Sequence, residues 1–354
     1  MTNLDSIPRP IPKSTTHKRA KNIVMIAGKA YQRLELLGKG GSSKVYKVQQ
    51  VNSTRTYAMK KVTFDDVDEI VSTGFKGEIE LLQKLRDEQR VVRLVDFEIL
   101  DGCINLVMEC GEIDLAHVLA ARLSSPLDIE FVRYYTAEML RCVAAVHDRG
   151  IVHSDLKPAN FLLVQGMLKI IDFGIANVVP DYTANVRRET QIGTPNYMAP
   201  EALVDVSHMD QRMAPGVKCL KVGRPSDVWS CGCILYQMVY GSPPYAVYTG
   251  THRMLAIMNP DVKIKYPDRG LGNMQVPREV VSTIEDCLQR DPAKRSTVYD
   301  VLNGPFVSPR YVTRDYLKGL FQRAVNYGAE KGAIGSRELD LLSDRFWDDL
   351  SPRR

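Results

Sequence analysis

Ile151-Val152-His153-Ser154-Asp155-Leu156-Lys157-Pro158-Ala159-Asn160, followed twelve residues after Asn160 by Asp172-Phe173-Gly174, is the stretch whose reading decides the fold. Apolar strand-like segments flank both parts. Transfer of a phosphoryl group needs a carboxylate to orient the attacking hydroxyl and a cation near the group in transit. It also needs an amide oxygen and a second carboxylate for Mg²⁺. Asp155, Lys157, Asn160 and Asp172 supply these four requirements. Each residue alone would pass as a turn residue, but the ordered set has a single chemistry. His153 reads as structural rather than as a general base.

Upstream lie the groups that such chemistry needs around a nucleotide. Gly38-Lys39-Gly40-Gly41-Ser42-Ser43-Lys44-Val45 follows a strand-like segment, and its small residues let backbone N–H groups approach phosphate oxygens closely. Taken alone, a glycine-rich hairpin is usually just a turn. Tyr57-Ala58-Met59-Lys60 places an ammonium on the third strand, where it could hold phosphates. Glu78, on the helix that follows, could pair with Lys60. Isolated, the two would be surface charges.

The pattern around these motifs sets the architecture. Strand-like runs at Tyr31 to Leu37, Lys44 to Gln49, Thr56 to Val62, Val91 to Ile99 and Ile104 to Met108 are interrupted by one helix carrying Ile79, Leu82 and Leu85. A small, mostly antiparallel sheet with one packed helix is expected. After Gly111 the pattern becomes helical. Asp128 to Arg149 puts Val132, Tyr135, Met139, Val143 and Val146 on one stripe before Gly150. A second apolar helix runs from Pro225 to about Tyr240, stopped by Gly241 and Pro243-Pro244. Val281, Ile284 and Leu288 mark another stripe, and Leu317 to Val325 and Leu339 to Leu350 mark two more helices. The fold class is α+β. Residues 1–28, with Pro8, Pro10, Pro12, Lys13, Lys18, Arg19 and Lys21, read as a flexible basic arm.

Bulk properties agree. The chain has 354 residues, 44% of them hydrophobic, with a formal net charge of +5, too mild to imply nucleic acid or a membrane surface. Its seven cysteines are odd in number and lack paired C-x-x-C spacing, which favours reduced thiols and a cytosolic or nuclear address. No apolar run approaches the roughly 18 residues of a membrane span, and Ile23 to Ala27 is too short for a signal-peptide core.

Downstream, Gly193-Thr194-Pro195-Asn196-Tyr197-Met198-Ala199-Pro200-Glu201 closes the polar segment begun at Asp172. Glu201 has a distant candidate partner in Arg295. Asp227 is either a helix-start carboxylate or a brace for the catalytic loop. In order, these segments match the signatures of the eukaryotic protein kinases from about Tyr31 to Pro309. Gly41 to Val45, Val107 to Leu115, Gly150 to Phe161 with Ser154, and Asp172 to Asn177 further resemble the monopolar spindle (TTK-type) dual-specificity checkpoint kinases.

The resemblance implies a bilobal kinase fold, ATP and Mg²⁺ as cofactors, and protein substrates phosphorylated on Ser or Thr, and on Tyr. The kinase domain would occupy 29–309, with an N-lobe at 29–108, a hinge at 109–113 and a C-lobe at 114–309; a helical extension would fill 310–354. Met108 becomes the gatekeeper, while Glu109, Cys110 and Gly111 form the hinge against adenine. Gly38 to Ser43, Val45, Ala58, Lys60, Glu78 and Asp172 complete the nucleotide site, with Asn160 and Asp172 as metal ligands. The resemblance further implies autophosphorylation in the activation segment, at Thr183, Thr190 or Thr194. Because Ser154 stands where regulated kinases usually carry arginine, a phosphate there needs other cations, and Arg187 and Arg188 are either those partners or a solvated basic pair. It implies kinetochore or spindle-pole recruiting partners, in nucleus or cytoplasm. The competing readings are a kinase-fold scaffold without activity and a small-molecule kinase.

Overall fold

The computed structural model describes residues 22–40, 43–63, 69–100, 102–173, 177–178, 186–188, 195–204, 220–309, 314–331, 335–337, 339–341 and 343–344. Six strands form one antiparallel sheet. They are β1 (Ile23–Ile26), β2 (Lys29–Gly40), β3 (Ser43–Gln50), β4 (Thr56–Thr63), β5 (Leu94–Leu100) and β6 (Cys103–Glu109), in spatial order β1-β2-β3-β4-β6-β5. The strand carrying Lys60 is interior: Lys60 faces Val45 of β3 on one side and Leu106 of β6 on the other. Helix α1 (Glu69–Lys84) packs on both the sheet and the second lobe. Ile79 packs on Ile104 and Leu106 beneath the sheet, while Leu81, Leu82 and Leu85 join the large core of the second lobe.

The second lobe begins with β7 (Ile113–Asp114) and α2 (Leu115–Ala121), capped by the Asp114 carboxylate, which accepts from the His117 N–H. Helix α3 (Ile129–Asp148) starts at Asp128, whose carboxylate accepts from Glu130 and Phe131, and ends before Gly150 at φ +69°. Then come β8 (Ile151–Val152), β9 (Phe161–Val164), β10 (Met167–Ile170), β11 (Asn177–Val178), β12 (Val186–Arg188) and β13 (Leu220–Val222). Strand β9 pairs with β10 and β7, β8 with β11, and β12 with β13. Helix α4 (Arg224–Tyr240) is buried almost throughout, which explains its continuous apolar run. A Cβ on Gly232 would stand 2.6 Å from that of Cys287, so glycine is what lets α4 lie against α6. Helices α5 (Gly250–Met258), α6 (Arg278–Cys287), α7 (Val298–Leu302) and α8 (Arg314–Lys331) complete the described chain. None of the described helices is long and apolar enough to cross a membrane.

Two expectations need correction. The arm expected over 1–28 loses its last residues to the sheet: β1 pairs with β2 across an Ala27-Gly28 turn at φ +49° and +75°. Ile26 is fully buried there with Tyr31, Val48, Tyr57, Met59 and Val107, and Asp96 binds Lys29 at 2.8 Å and the Tyr31 hydroxyl. Strand β5 begins at Leu94 rather than Val91, because the chain before it runs beside Ile170 in the other lobe: the Val92 N–H donates to Ile170 O and the Ile170 N–H to Arg90 O, while the Val91 N–H turns back to Glu88 O. The stripe expected on α6 does face the core, with Ile284 and Leu288 buried and Val281 half-buried against it, and Val280, Thr283 and Cys287 widen that face. The helix expected over Leu317 to Val325 lies within α8, with Phe321 and Val325 exposed. Residues 1–21, Gly41, Ser42, Thr183, Thr190, Gly193, Thr194 and the end of the last expected helix lie outside the described residues.

The docked hairpin predicts a measurable boundary. Deleting residues 1–28 should lower the thermal midpoint by about 5 °C relative to deleting residues 1–21, from the loss of one buried isoleucine and its neighbours. Equal midpoints in differential scanning fluorimetry would show that β1 adds nothing.

Candidate active site

The site is built where the two lobes face each other. On β4, the Lys60 Nζ donates to both oxygens of Glu78 on α1, at 2.9 and 3.1 Å, and to Asp172 Oδ1 at 3.0 Å. Glu78 is 2% exposed, while the Asp172 side chain is 48% exposed, so one carboxylate is structural and the other faces the cleft. Burial works against the charged ammonium of Lys60, but the two carboxylates outweigh it and hold its pKa above the ordinary value. Burial likewise pushes Asp172 up, and the Lys60 charge more than reverses this, leaving the carboxyl below its usual range and ionised at neutral pH.

Asp172 sits at φ +66° and Ser154 at φ +69°, a conformation that side chains other than glycine rarely adopt. Both bends are held by hydrogen bonds. The buried Asp227 carboxylate, in the first turn of α4, accepts from the backbone N–H of His153 at 2.9 Å and of Ser154 at 2.7 Å, and from His147 Nε2 at 2.9 Å. Burial pushes the Asp227 carboxyl up, but these donors overcome it and depress the pKa. His153 is structural, as its sequence context suggests: Nε2 donates to the Ile171 carbonyl, Nδ1 accepts from Asp155 N–H, and the ring packs on Phe173 at 5.3 Å. In the loop so held, Lys157 Nζ stands 2.7 Å from Asp155 Oδ2. The buried Asn160 donates Nδ2–H to Ile171 O, while its Oδ1 has no hydrogen-bond partner among the described residues.

The remaining expected residues fall around this centre. Val45 faces Lys60 across β3 and β4, and Ala58 faces Met108 across β4 and β6. Gly38, Lys39, Gly40 and Ser43 form the outer end of the β2–β3 hairpin, in which Gly40 pairs with Ser43. Gly41 and Ser42 lie outside the description. Glu109, Cys110 and Gly111 connect the lobes; burial pushes the Cys110 thiol up, and a Cβ on Gly111 would stand 2.5 Å from the Leu163 carbonyl. Glu201 and Arg295 are an engaged pair rather than two exposed charges. Arg295 grips both carboxylate oxygens at 2.6 and 3.1 Å, and its side chain is wholly buried. Sequence reasoning missed His147, a polar residue four positions after Val143 on a buried stripe, and Arg90, which grips the buried Glu138 of α3 with two nitrogens.

This constellation on this two-lobed frame is that of a protein kinase. Residues 31–307 match the protein kinase domain, and the chain belongs to that family. It is 52% identical over 334 residues to the serine/threonine-protein kinase MPS1 of Saccharomyces cerevisiae, covering 94% of this chain and 44% of that protein. Over 314 residues it is 44% identical to the serine/threonine-protein kinase mph1 of Schizosaccharomyces pombe, covering 85% of this chain and 45% of that one. It is 38% identical over 291 residues to the dual specificity protein kinase TTK of Mus musculus, with 80% and 32% covered. The chain thus spans less than half the length of these relatives. They are of the monopolar spindle type that the motifs resemble.

Asp227 yields a stability prediction with a defined pH dependence. Asp227→Asn should cost about 3 kcal/mol at neutral pH by mismatching three donors in a dry site. Because the folded pKa lies below the unfolded value, the stabilisation is present above about pH 4 and disappears as pH falls through the folded pKa. Urea midpoints of parent and variant should therefore converge in acid; a constant gap would contradict the assignment.

Proposed function

We propose that this chain transfers the γ-phosphoryl group of ATP to serine and threonine hydroxyls of proteins, and to tyrosine. The observation that carries this reading is Lys60 Nζ held between Glu78 and Asp172. A cation is thereby fixed at the interior of the cleft, in the arrangement that phosphoryl transfer requires. A scaffold without activity would have no use for that triad together with Asp155, Lys157 and Asn160. The geometry therefore favours the enzyme.

The residues also fit a divalent ion. Asn160 Oδ1 is a buried amide oxygen with no partner among the described residues, and Asp172 presents a half-exposed ionised carboxylate. A hard cation prefers such oxygens. Asn160 and Asp172 would hold Mg²⁺, which when bound supplies neutralisation of phosphate charge. Lys60 binds phosphate oxygens, Asp155 orients the acceptor hydroxyl, and Lys157 places positive charge beside the group in transit. Val45, Ala58 and Met108 offer apolar surface to a purine, and Glu109 to Gly111 offer backbone to its edge.

By similarity to MPS1, mph1 and TTK, the chain is a checkpoint kinase of chromosome segregation, working at kinetochore or spindle with partners there. Its activation segment carries Thr183, Thr190 and Thr194 as autophosphorylation candidates. Arg187 and Arg188 lie on β12, whose backbone pairs with β13.

Two measurements test this reading. Asp172→Ala and Lys60→Met should each reduce transfer to a generic protein substrate by at least about a thousandfold with the fold intact by thermal melt. Undiminished turnover in either variant would refute it. After incubation with ATP, mass spectrometry should find phosphate on Thr183 or Thr190, and the Thr183→Ala/Thr190→Ala variant should lose the accompanying rise in activity. If the unphosphorylated double variant is as fast as the ATP-treated parent, these threonines do not activate it.

A further inference from the structure

The hinge is tied to the β9–β10 hairpin by contacts that the site described above does not use. Glu109 ends β6, and its Oε1 accepts from Lys169 Nζ of β10 at 2.6 Å and from the Arg93 N–H at 2.8 Å. Both charged side chains are only 15% exposed. The Glu109 N–H donates in turn to the Arg93 carbonyl at 3.0 Å. Three residues on, the Glu112 carboxylate accepts from the Gln165 N–H at the hairpin turn, and the Glu112 N–H donates to Leu163 O at 2.8 Å.

Strand β10 leads straight into Asp172. Lys169 is three residues before it, and the neighbouring Ile170 N–H and C=O are both bonded, to Arg90 O at 2.9 Å and Val92 N–H at 3.0 Å. The Glu109 carboxylate is therefore turned onto protein, and the pair connects the purine end of the cleft to the strand that carries the phosphate end. A partly buried pair of this kind is strong only while its geometry holds. It stands in the arrangement in which Lys60 also reaches both Glu78 and Asp172.

We propose that Glu109 and Lys169 form a hinge clamp. They are positioning residues that set the distance between the adenine-binding backbone and Asp172, and so favour the lobe arrangement competent for transfer. This rests on the kinase reading above. An interaction made in the competent arrangement and lost when the hinge opens shifts the population toward competence. The pair stands at the nucleotide end of the cleft, between the hinge and β10. The expected signature is a defect in ATP use without a defect in protein-substrate affinity.

The test is steady-state kinetics on the whole chain, with Asp172→Ala alongside as a check on the kinase reading itself. Glu109→Gln and Lys169→Met should each lower kcat/KM for ATP by roughly five- to twentyfold, with the KM for the protein substrate unchanged. The double variant should be no worse than the worse single, because it removes one shared interaction. Lys169→Arg should stay within about twofold of the parent, since a guanidinium can keep the charge-assisted bond. Full parental kcat/KM in both singles, or losses that multiply in the double, would overturn the clamp. If Lys169→Met fails to fold with a carboxylate left unpaired, the charge-free double variant carries the test, and parental kcat/KM in it would overturn the proposal. Turnover by Asp172→Ala would instead defeat the underlying kinase reading.

Discussion

One ammonium spans the two lobes. Lys60 Nζ lies within 3.1 Å of three carboxylate oxygens, two on Glu78 from α1 and one on Asp172 after β10. A buried charge is tolerated only when it is paired and hydrogen-bonded, so the positions of β4, α1 and Asp172 are mutually dependent. Around this point the apolar packing has the same arrangement. Helix α1 gives Ile79 to the sheet and Leu81, Leu82 and Leu85 to the second lobe. A shift of α1 would disturb packing in both lobes as well as the ion pair.

A second buried charge plays the corresponding part below the cleft. Asp227 gathers the loop before Asp155 by two backbone N–H groups and adds His147 as a third donor. Arg295 likewise spends its guanidinium on Glu201, the Pro225 and Gln289 carbonyls, and the face of Trp229 at 5.1 Å. Such groups gain little net stability over an apolar core. Here Asp227 fixes strained, irregular backbone at Ser154 that apolar packing alone could not specify.

Much of this was legible from residue order. The helix from Asp128 to Gly150 and the core helix ending at Gly241 carry caps and stripes with a direct physical meaning. The residues that converge on the cleft were legible because phosphoryl transfer needs unlike groups at set places, so each residue type constrains the others. What escaped was tertiary. Ile23–Ile26 is too short to read as a strand, and becomes one only because Ile26 finds a ready cluster beneath β2, β3 and β4. Val91 and Val92 look like a strand start, yet the hydrogen bonds on either side of Val91, from Arg90 O and Val92 N–H, go to Ile170 in the other lobe. His147, Arg90 and Lys169 are ordinary polar residues until folding brings partners 80, 48 and 60 positions away.

Competence for transfer therefore depends on the position of one cation rather than on any single reactive group. The most direct test is Glu78→Gln, which touches neither phosphate nor acceptor and leaves a side chain of the same shape. Steady-state kinetics should show kcat reduced by at least about tenfold while the protein remains folded and still binds ATP, because Lys60 is left without the carboxylate that fixes it. A kcat equal to the parent's would mean that the Lys60–Glu78 pair is not what holds the site in working order.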